Sequence, residues 1–286
     1  MQKNNEKNSL IEDINSILEK YKIGTSITLS DITITDETVS DLVKQDARLS
    51  DAITNHLWPS IKSKTVYHFT SKDAAESILN SGVFRLNNIE RRYNEGEIET
   101  FCKTHKLNGY LEKDQNGNPK YRDLIMPNTF YASFTDASLT TEQEEYFWRN
   151  FASCDGVRLK IKITALSPDF RKIYYEKTSG HPIELLEELK NCIKRNYNRE
   201  FVFKGISRLC AFYLCGEDYG IEGEYRVLHR VWEDSSSKPK GLGAQSYVEL
   251  PLGEMNECRY KLDIIEVHAR EKPKMPERYL FSHRSV

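Results

Sequence analysis

His68 closes an alternating apolar run and is followed at once by Phe69, Thr70 and Ser71, where a strand should give way to a helix. A turn of that kind leaves backbone N–H and C=O groups unpaired and able to grip a planar carboxamide, while the imidazole can hold a ribose hydroxyl. The helix start beside it favours an anion such as a pyrophosphate. The alternative for a single histidine at a strand end is a packed core position. Further along, FYASF (130–134) alternates so that Phe130, Ala132 and Phe134 share one face, and Tyr131 and Ser133 the other. A tyrosine on the open face can stack on a flat ring, gaining about 1 kcal/mol beyond burial; its alternative is a cross-strand packing aromatic. Glu222 and Glu224 in EGEYRV stand two apart, on one strand face. One carboxylate can accept a sugar hydroxyl and stabilise oxocarbenium-like charge as a leaving group departs, and the other can polarise an acceptor. The alternative is a salt-bridged edge beside Arg226.

The elements around these residues follow from periodicity. Leu10, Ile11, Ile14, Ile17, Leu18 and Tyr21 place an amphipathic helix over 8–22, ended by Gly24. A short strand is expected in 28–36, then a helix capped by Asp36 and reaching about Ala52, with Val39, Leu42, Val43 and Leu49 on its apolar side. A strand over 64–69 leads to a helix capped by Ser71 or Asp73, with Ala74, Ala75, Ile78 and Leu79 inward and Gly82 at its C-terminal stop. Residues 90–127 read as a polar insertion with a turn at NGNP (116–119). Strands are expected at 84–86, 129–134, 157–164, 224–232, 246–250 and 260–269, and helices at 141–151 and 182–197. Strands separated by single helices, with hairpins late in the chain, indicate an α+β fold. Residues 1–60 carry ten acidic and six basic side chains and read as a small, mainly helical appendage, a lid or partner-docking region; 61–286 form the main domain.

With 286 residues the chain has length for a substantial core, and a net charge of -2 gives no overall polybasic signature for nucleic acid or an anionic membrane. The six cysteines include no CxxC pair and the seven histidines have no metal-ligand spacing, so neither a disulfide framework nor a metal is expected. No apolar run approaches a membrane span, which makes a cytoplasmic location the expectation. GxGxxG after a strand, a P-loop, HExxH and GxSxG are all missing.

HFTSKDAAESILNSGVF (68–84) resembles the opening of the ADP-ribosyltransferase fold in DarT-like toxins. TFYASF (129–134) resembles the Tyr strand of poly(ADP-ribose) polymerase catalytic domains, and GEYRV (223–227) their Glu-Tyr strand. Residues 64–230 also resemble a bacterial family with a His-Phe-Thr start, an Asn-acid cluster as at 94–97, an Ala-Ser-Phe strand before a Trp helix (Trp148), and a Glu-x-Glu-aromatic-Arg ending. The resemblance to the His-Tyr-Glu ADP-ribosyltransferases implies a split antiparallel β-sandwich with flanking helices and NAD as substrate in its cleft. It implies that His68 binds ribose, the Phe69 backbone the carboxamide, and Tyr131 the nicotinamide, with Thr70 and Ser133 alongside. Glu224 would be the catalytic carboxylate with Glu222 near it, and Arg85, Arg91 or Arg92 would meet the pyrophosphate.

The activity so implied is mono-ADP-ribosyl transfer to a macromolecule, in a bacterial toxin or phage-defence effector restrained by an inhibitory antitoxin protein. The loop 215–221 falls where that fold chooses its acceptor. Residues 190–208 hold six basic residues against one acidic, with Tyr197, Phe201 and Phe203 interleaved. Lys194, Arg195, Tyr197 and Arg199 therefore form the candidate acceptor surface, for RNA or DNA ahead of protein; a helix with a solvated basic face and a buried aromatic face is the alternative. Two other functions compete: an NAD glycohydrolase using the same site with water, and a non-catalytic nucleotide-sensing or protein-interaction module.

Overall fold

Alternation is the rule along the central strands, and it builds one long antiparallel sheet. In chain order the elements are α1 (Gln2–Lys20), β1 (Ile32–Ile34), β2 (Thr38–Asp41), α2 (Arg48–Leu57), β3 (Ser63–Thr70), α3 (Lys72–Ser81) and β4 (Val83–Asn88). The short helices α4 (Glu97–Thr104), α5 (Asn108–Leu111) and α6 (Tyr121–Leu124) precede β5 (Thr129–Asp136), α7 (Thr141–Phe151) and β6 (Val157–Ala165). Then come β7 (Phe170–Lys172), β8 (Tyr174–Glu176), α8 (Glu184–Tyr197), β9 (Glu200–Val202), α9 (Ile206–Ala211) and β10 (Tyr213–Cys215). The last strands are β11 (Tyr225–Arg230), β12 (Tyr247–Pro251) and β13 (Tyr260–Ala269). This computed structural model describes residues 2–42, 48–91, 96–176, 180–215, 221–231 and 235–270. The expectations placed on Val43, on Arg92, on residues 94 and 95 of the cluster 94–97 and on most of the loop 215–221 lie outside the described residues.

The main sheet runs β12-β4-β5-β3-β6-β13, with β11 on the other edge of β5 and β7 beside β11, every pairing antiparallel. Two small sheets pair in parallel in part, β2 with β9 and β10 with β8. The fold is thus mixed α/β with largely antiparallel sheets. β6 shows why it forms: Val157, Leu159, Ile161, Ile163 and Ala165 are buried while Arg158, Lys160, Lys162 and Thr164 alternate outward. Each fully buried aliphatic side chain contributes roughly 1.5–3 kcal/mol over an exposed one.

Two apolar cores meet at the centre of the sheet. Phe130, Ala132 and Phe134 of β5 join Tyr225 and Val227 of β11 in one core. Tyr131 and Leu228, on the opposite face of the same strands, join the other, which is built from α1, α2, α4, α8 and α9. Residues 10–58 pack into that second core with 98–131 and 185–228, so the packing runs across residue 60.

Three expectations change. The helix expected from Asp36 to about Ala52 is instead β2, followed after 43–47 by α2. Thr38–Asp41 pairs with β1 and with β9, and Val39 is buried, so cross-strand partners distant in sequence decide the local state. The segment 90–127 turns at NGNP, where Gly117 takes φ +81, but it is no mere surface loop. Phe101, Tyr110, Tyr121 and Met126 carry it into the second core. Strands β7 and β8 were not expected. The caps around α3 hold: Ser71 Oγ accepts from the Ala74 N–H at 3.3 Å, and Gly82, at φ +65, donates to the Ile78 carbonyl. Among the described residues no helix is long and apolar enough to cross a membrane.

Candidate active site

β11 flanks β5 over residues 129–134, while β4 and β3 pair with its two ends. β4 pairs at Phe130 and Tyr131, β3 at Thr135 and Asp136, and between them the sheet forks. Ala132–Phe134 is left without a strand on that side. The His68 ring fills the gap: its Nδ1 lies 3.1 Å from the Ser133 carbonyl, and the imidazole is wedged between Phe84 (5.0 Å, edge-on) and Phe134 (5.7 Å). A carbonyl only accepts, so Nδ1 carries the proton. Burial holds the imidazole below its ordinary pKa, which makes it neutral and leaves Nε2 as an acceptor.

A cavity of about 700 Å³ opens at this fork, within the roughly 300–1,000 Å³ of small-molecule sites. His68, Phe69, Thr70 and Ser71 line it from the end of β3, Arg85 and Arg91 from β4 and the turn beyond, and Tyr131 and Ser133 from β5. Glu222 and Glu224 reach it from the segment before β11. The structure thus brings together, on one surface, every described residue expected to hold or cleave NAD. The end of β3 is placed by Gly156: a Cβ there would meet the Thr70 carbonyl at 2.2 Å and the Ala152 carbonyl at 2.6 Å, so only glycine admits this approach. Ser133 Oγ is buried with no hydrogen-bond partner, a hydroxyl available to a ligand atom.

The two carboxylates differ in their surroundings. Glu224 is buried, with Oε1 at 2.8 Å from Arg226 Nε and Oε2 at 3.3 Å from Nη2. Arg226 is wholly buried and also grips Glu97 of α4, at 2.9 and 3.2 Å, and the Ala211 carbonyl of α9, at 2.8 Å. Burial pulls the guanidinium pKa down, but Glu224 and Glu97 more than offset it and hold the charge firmly. Glu222 is half-buried and its Oε1 accepts from the Tyr146 hydroxyl at 3.1 Å. Its carbonyl accepts from Thr135 Oγ1 at 2.8 Å, and the Ile221 carbonyl accepts from Gln143 Nε2 at 3.3 Å, so β5 and α7 together fix its backbone.

Tyr131 does not present the open ring face expected of it. It is 4% exposed, and the Arg226 guanidinium sits 4.6 Å from its ring centroid, because Arg226 and Ser133 are paired across the strands beside it. Aromatic surface in the cavity comes also from α7, the helix expected over 141–151 but given no part in ligand binding: Phe147 and Phe151 line the cavity, with Phe147 stacked on Phe69 at 5.2 Å and Phe151 37% exposed. Arg85 lies over the Tyr247 ring at 4.3 Å, and Arg91 donates to Asn87 Oδ1 at 3.0 Å; both arginines are exposed.

The expected acceptor residues lie elsewhere. None of Lys194, Arg195, Tyr197 and Arg199 lines the cavity. Lys194 pairs with Glu200 at 2.7 Å, the Tyr197 hydroxyl donates to Asp13 at 2.8 Å, and Arg199 binds Glu6 and the Thr35 carbonyl. Arg195 borders a separate groove between α1 and α8. Phe201 and Phe203 are buried in the second core, so they offer no platform for bases; the apolar face of the segment packs against α1 and β2 instead. The signal for this was in the sequence, in the alternation of Phe201 and Phe203 with Val202 and Lys204. Among the described residues no group of three His, Cys, Asp or Glu side chains is arranged to hold a metal. In comparison with known proteins, the chain matches no family model, no curated protein and no solved structure.

Proposed function

We propose that the cavity at the sheet fork binds NAD and that the protein is a mono-ADP-ribosyltransferase with an ADP-ribosyltransferase-like split antiparallel fold. One observation carries the reading: His68, Tyr131 and the Glu222–Glu224 pair, far apart in the chain, converge on one cavity, with His68 held as a neutral imidazole whose Nε2 accepts. A neutral acceptor suits a ribose hydroxyl. The end of β3 and the start of α3 offer backbone groups to the carboxamide. Arg85 and Arg91 are cations of the right kind for the pyrophosphate. A carboxylate beside the ribose stabilises the positive charge that grows at its anomeric carbon as nicotinamide leaves.

An activity of this kind consumes NAD, which fits a toxin or phage-defence effector that needs a restraining partner protein. Because residues 190–208 are engaged within the fold, they favour neither nucleic acid nor protein as acceptor. The test is incubation with NAD labelled in the adenylate, together with RNA, DNA and protein. Label on one polymer class establishes transfer and names the acceptor, and nicotinamide release without label establishes hydrolysis. Absence of both refutes the enzyme.

A further inference from the structure

Resting on the NAD reading, we infer that Tyr175 and Gly223 are positioning residues of this site: they fix the main chain that carries Glu222 and Glu224 to the cavity, although neither lines it. Read as a regular strand, EGEYRV sets the two carboxylates on one face. In the structure β11 begins only at Tyr225, and Gly223, between the two glutamates, takes φ +49. The chain turns there, and both carboxylates still line the cavity. Their spacing is therefore set by a left-handed residue and not by strand alternation. A Cβ on Gly223 would meet nothing within 4 Å, so glycine is not needed there for space. The backbone conformation alone is what the position demands.

The turn is clamped on both sides. Upstream, Thr135 Oγ1 donates to the Glu222 carbonyl and Gln143 Nε2 to the Ile221 carbonyl. Downstream, the chain joining β7 to β8 grips Glu224. The Ile173 N–H donates to the Glu224 carbonyl at 2.9 Å, and the Glu224 N–H donates to the Tyr175 hydroxyl oxygen at 2.9 Å. Tyr175 stands on β8, which is itself anchored. β8 pairs in parallel with β10, the Tyr174 N–H donates to the Phe212 carbonyl, and Tyr174 stacks on Tyr213 at 5.9 Å. Phe212 and Tyr213 belong to the second core, so a rigid strand presents one oxygen to one amide. Burial, with Glu224 and Glu222 nearby, raises the Tyr175 pKa, so near neutral pH the phenol keeps its proton and acts as a neutral acceptor. A carboxylate stabilises the charge growing on the ribose only if it is in place when nicotinamide leaves. A misplacement of about 1 Å, even from a residue remote from the chemistry, costs on the order of 100-fold in rate.

The test uses the full chain as wild type, Tyr175→Phe, Gly223→Val and Gly223→Asn, and measures nicotinamide release, NAD binding by calorimetry and the denaturant midpoint. Tyr175→Phe keeps the ring and removes the acceptor of the Glu224 N–H. It should lower kcat about tenfold while Kd and KM for NAD stay within about twofold, a split that a merely structural tyrosine would not give. Gly223→Val places a β-branched residue at positive φ and should lower kcat roughly 100-fold with NAD still bound. Asparagine enters that conformation more readily, so Gly223→Asn should recover kcat to within about threefold of wild type. If Gly223→Val does not fold, Gly223→Ala replaces it, because its smaller side chain meets the same backbone constraint. The inference is overturned if folded Tyr175→Phe or Gly223→Val turns NAD over at the wild-type rate, or if Gly223→Asn is as slow as Gly223→Val. It is equally overturned if Kd rises as much as kcat falls, which would make these residues part of the binding surface. Wild type that neither binds NAD nor releases nicotinamide overturns the NAD reading itself, and this inference with it.

Discussion

The Glu224 carboxylate meets the Arg226 guanidinium at two points, 2.8 and 3.3 Å, where neither side chain is more than marginally exposed. Arg226 is in turn the only described cation that Glu224 and Glu97 are shown to share. Removing it takes away the guanidinium that both carboxylates share. Arg226→Met should therefore destabilise the fold by about 3–5 kcal/mol, the usual consequence of breaking a buried pair from one side. A urea titration measures this directly, and a loss below about 1 kcal/mol would mean that the triad is slack.

His68 should confer affinity without demanding a charge. Because burial keeps its pKa below the ordinary value, the imidazole takes up a proton only at lower pH than a free histidine, and NAD affinity should not rise as the pH falls from 8 to 6. His68→Ala should weaken NAD binding about tenfold, the size of a hydrogen bond of roughly 1.4 kcal/mol. Affinity that rises steeply as the pH drops from 7 to 6 would show that the protonated form is the one that binds.

Phe151 offers exposed ring surface at the cavity, and a ligand with a flat base should cover it. Phe151→Ala should raise the Kd for NAD by about five- to tenfold, in keeping with roughly 1 kcal/mol for an aromatic contact. Phe151→Trp should restore binding and report it through quenched fluorescence. Unaltered Kd in the alanine variant would place the base elsewhere.

Stability should fall on acidification. Burial pushes His105 down to about 4, and His229 likewise to about 4. Between pH 6.5 and 4 the unfolded chain binds protons at both positions that the folded chain does not, so stability is lost as the pH falls through that window. Asp41, pushed up to about 6 by burial, acts in the opposite sense, binding a proton in the fold between about pH 6 and 3.8. A single substitution isolates the histidine contribution. Wild type should lose about 1–3 kcal/mol more than His105→Gln between pH 7 and 4.5, as read from urea midpoints. Parallel pH profiles would mean that His105 titrates normally.

Much of this site could be read from sequence wherever one face or one cap decides the structure. The alternation of FYASF sets Tyr131 on the face opposite Phe130, Ala132 and Phe134, and Ser71 and Gly82 mark both ends of α3. What could not be read depends on contacts between distant segments. β2 reads as a helix because one of its two strand partners, β9, lies far along the chain. Arg226 covers Tyr131 and neutralises Glu224 only because Glu97, from a stretch that reads as a polar insertion, arrives to hold it. The basic stretch near α8 reads as an acceptor surface because composition does not reveal that Glu6 and Glu200 answer its charges and Asp13 its Tyr197 hydroxyl. Likewise, the spacing of α7 gives no hint that Phe147 and Phe151 line the cavity or that Tyr146 reaches Glu222.

The most direct measurement is a calorimetric titration of NAD into the purified chain, with nicotinamide followed in the same sample, for wild type and His68→Ala. Saturable binding with nicotinamide released by wild type, and both weakened in the variant, is the expected result. Absence of heat and of nicotinamide from wild type at NAD concentrations of order 1 mM, the upper end of ordinary substrate affinities, would contradict the assignment of the fork cavity to NAD.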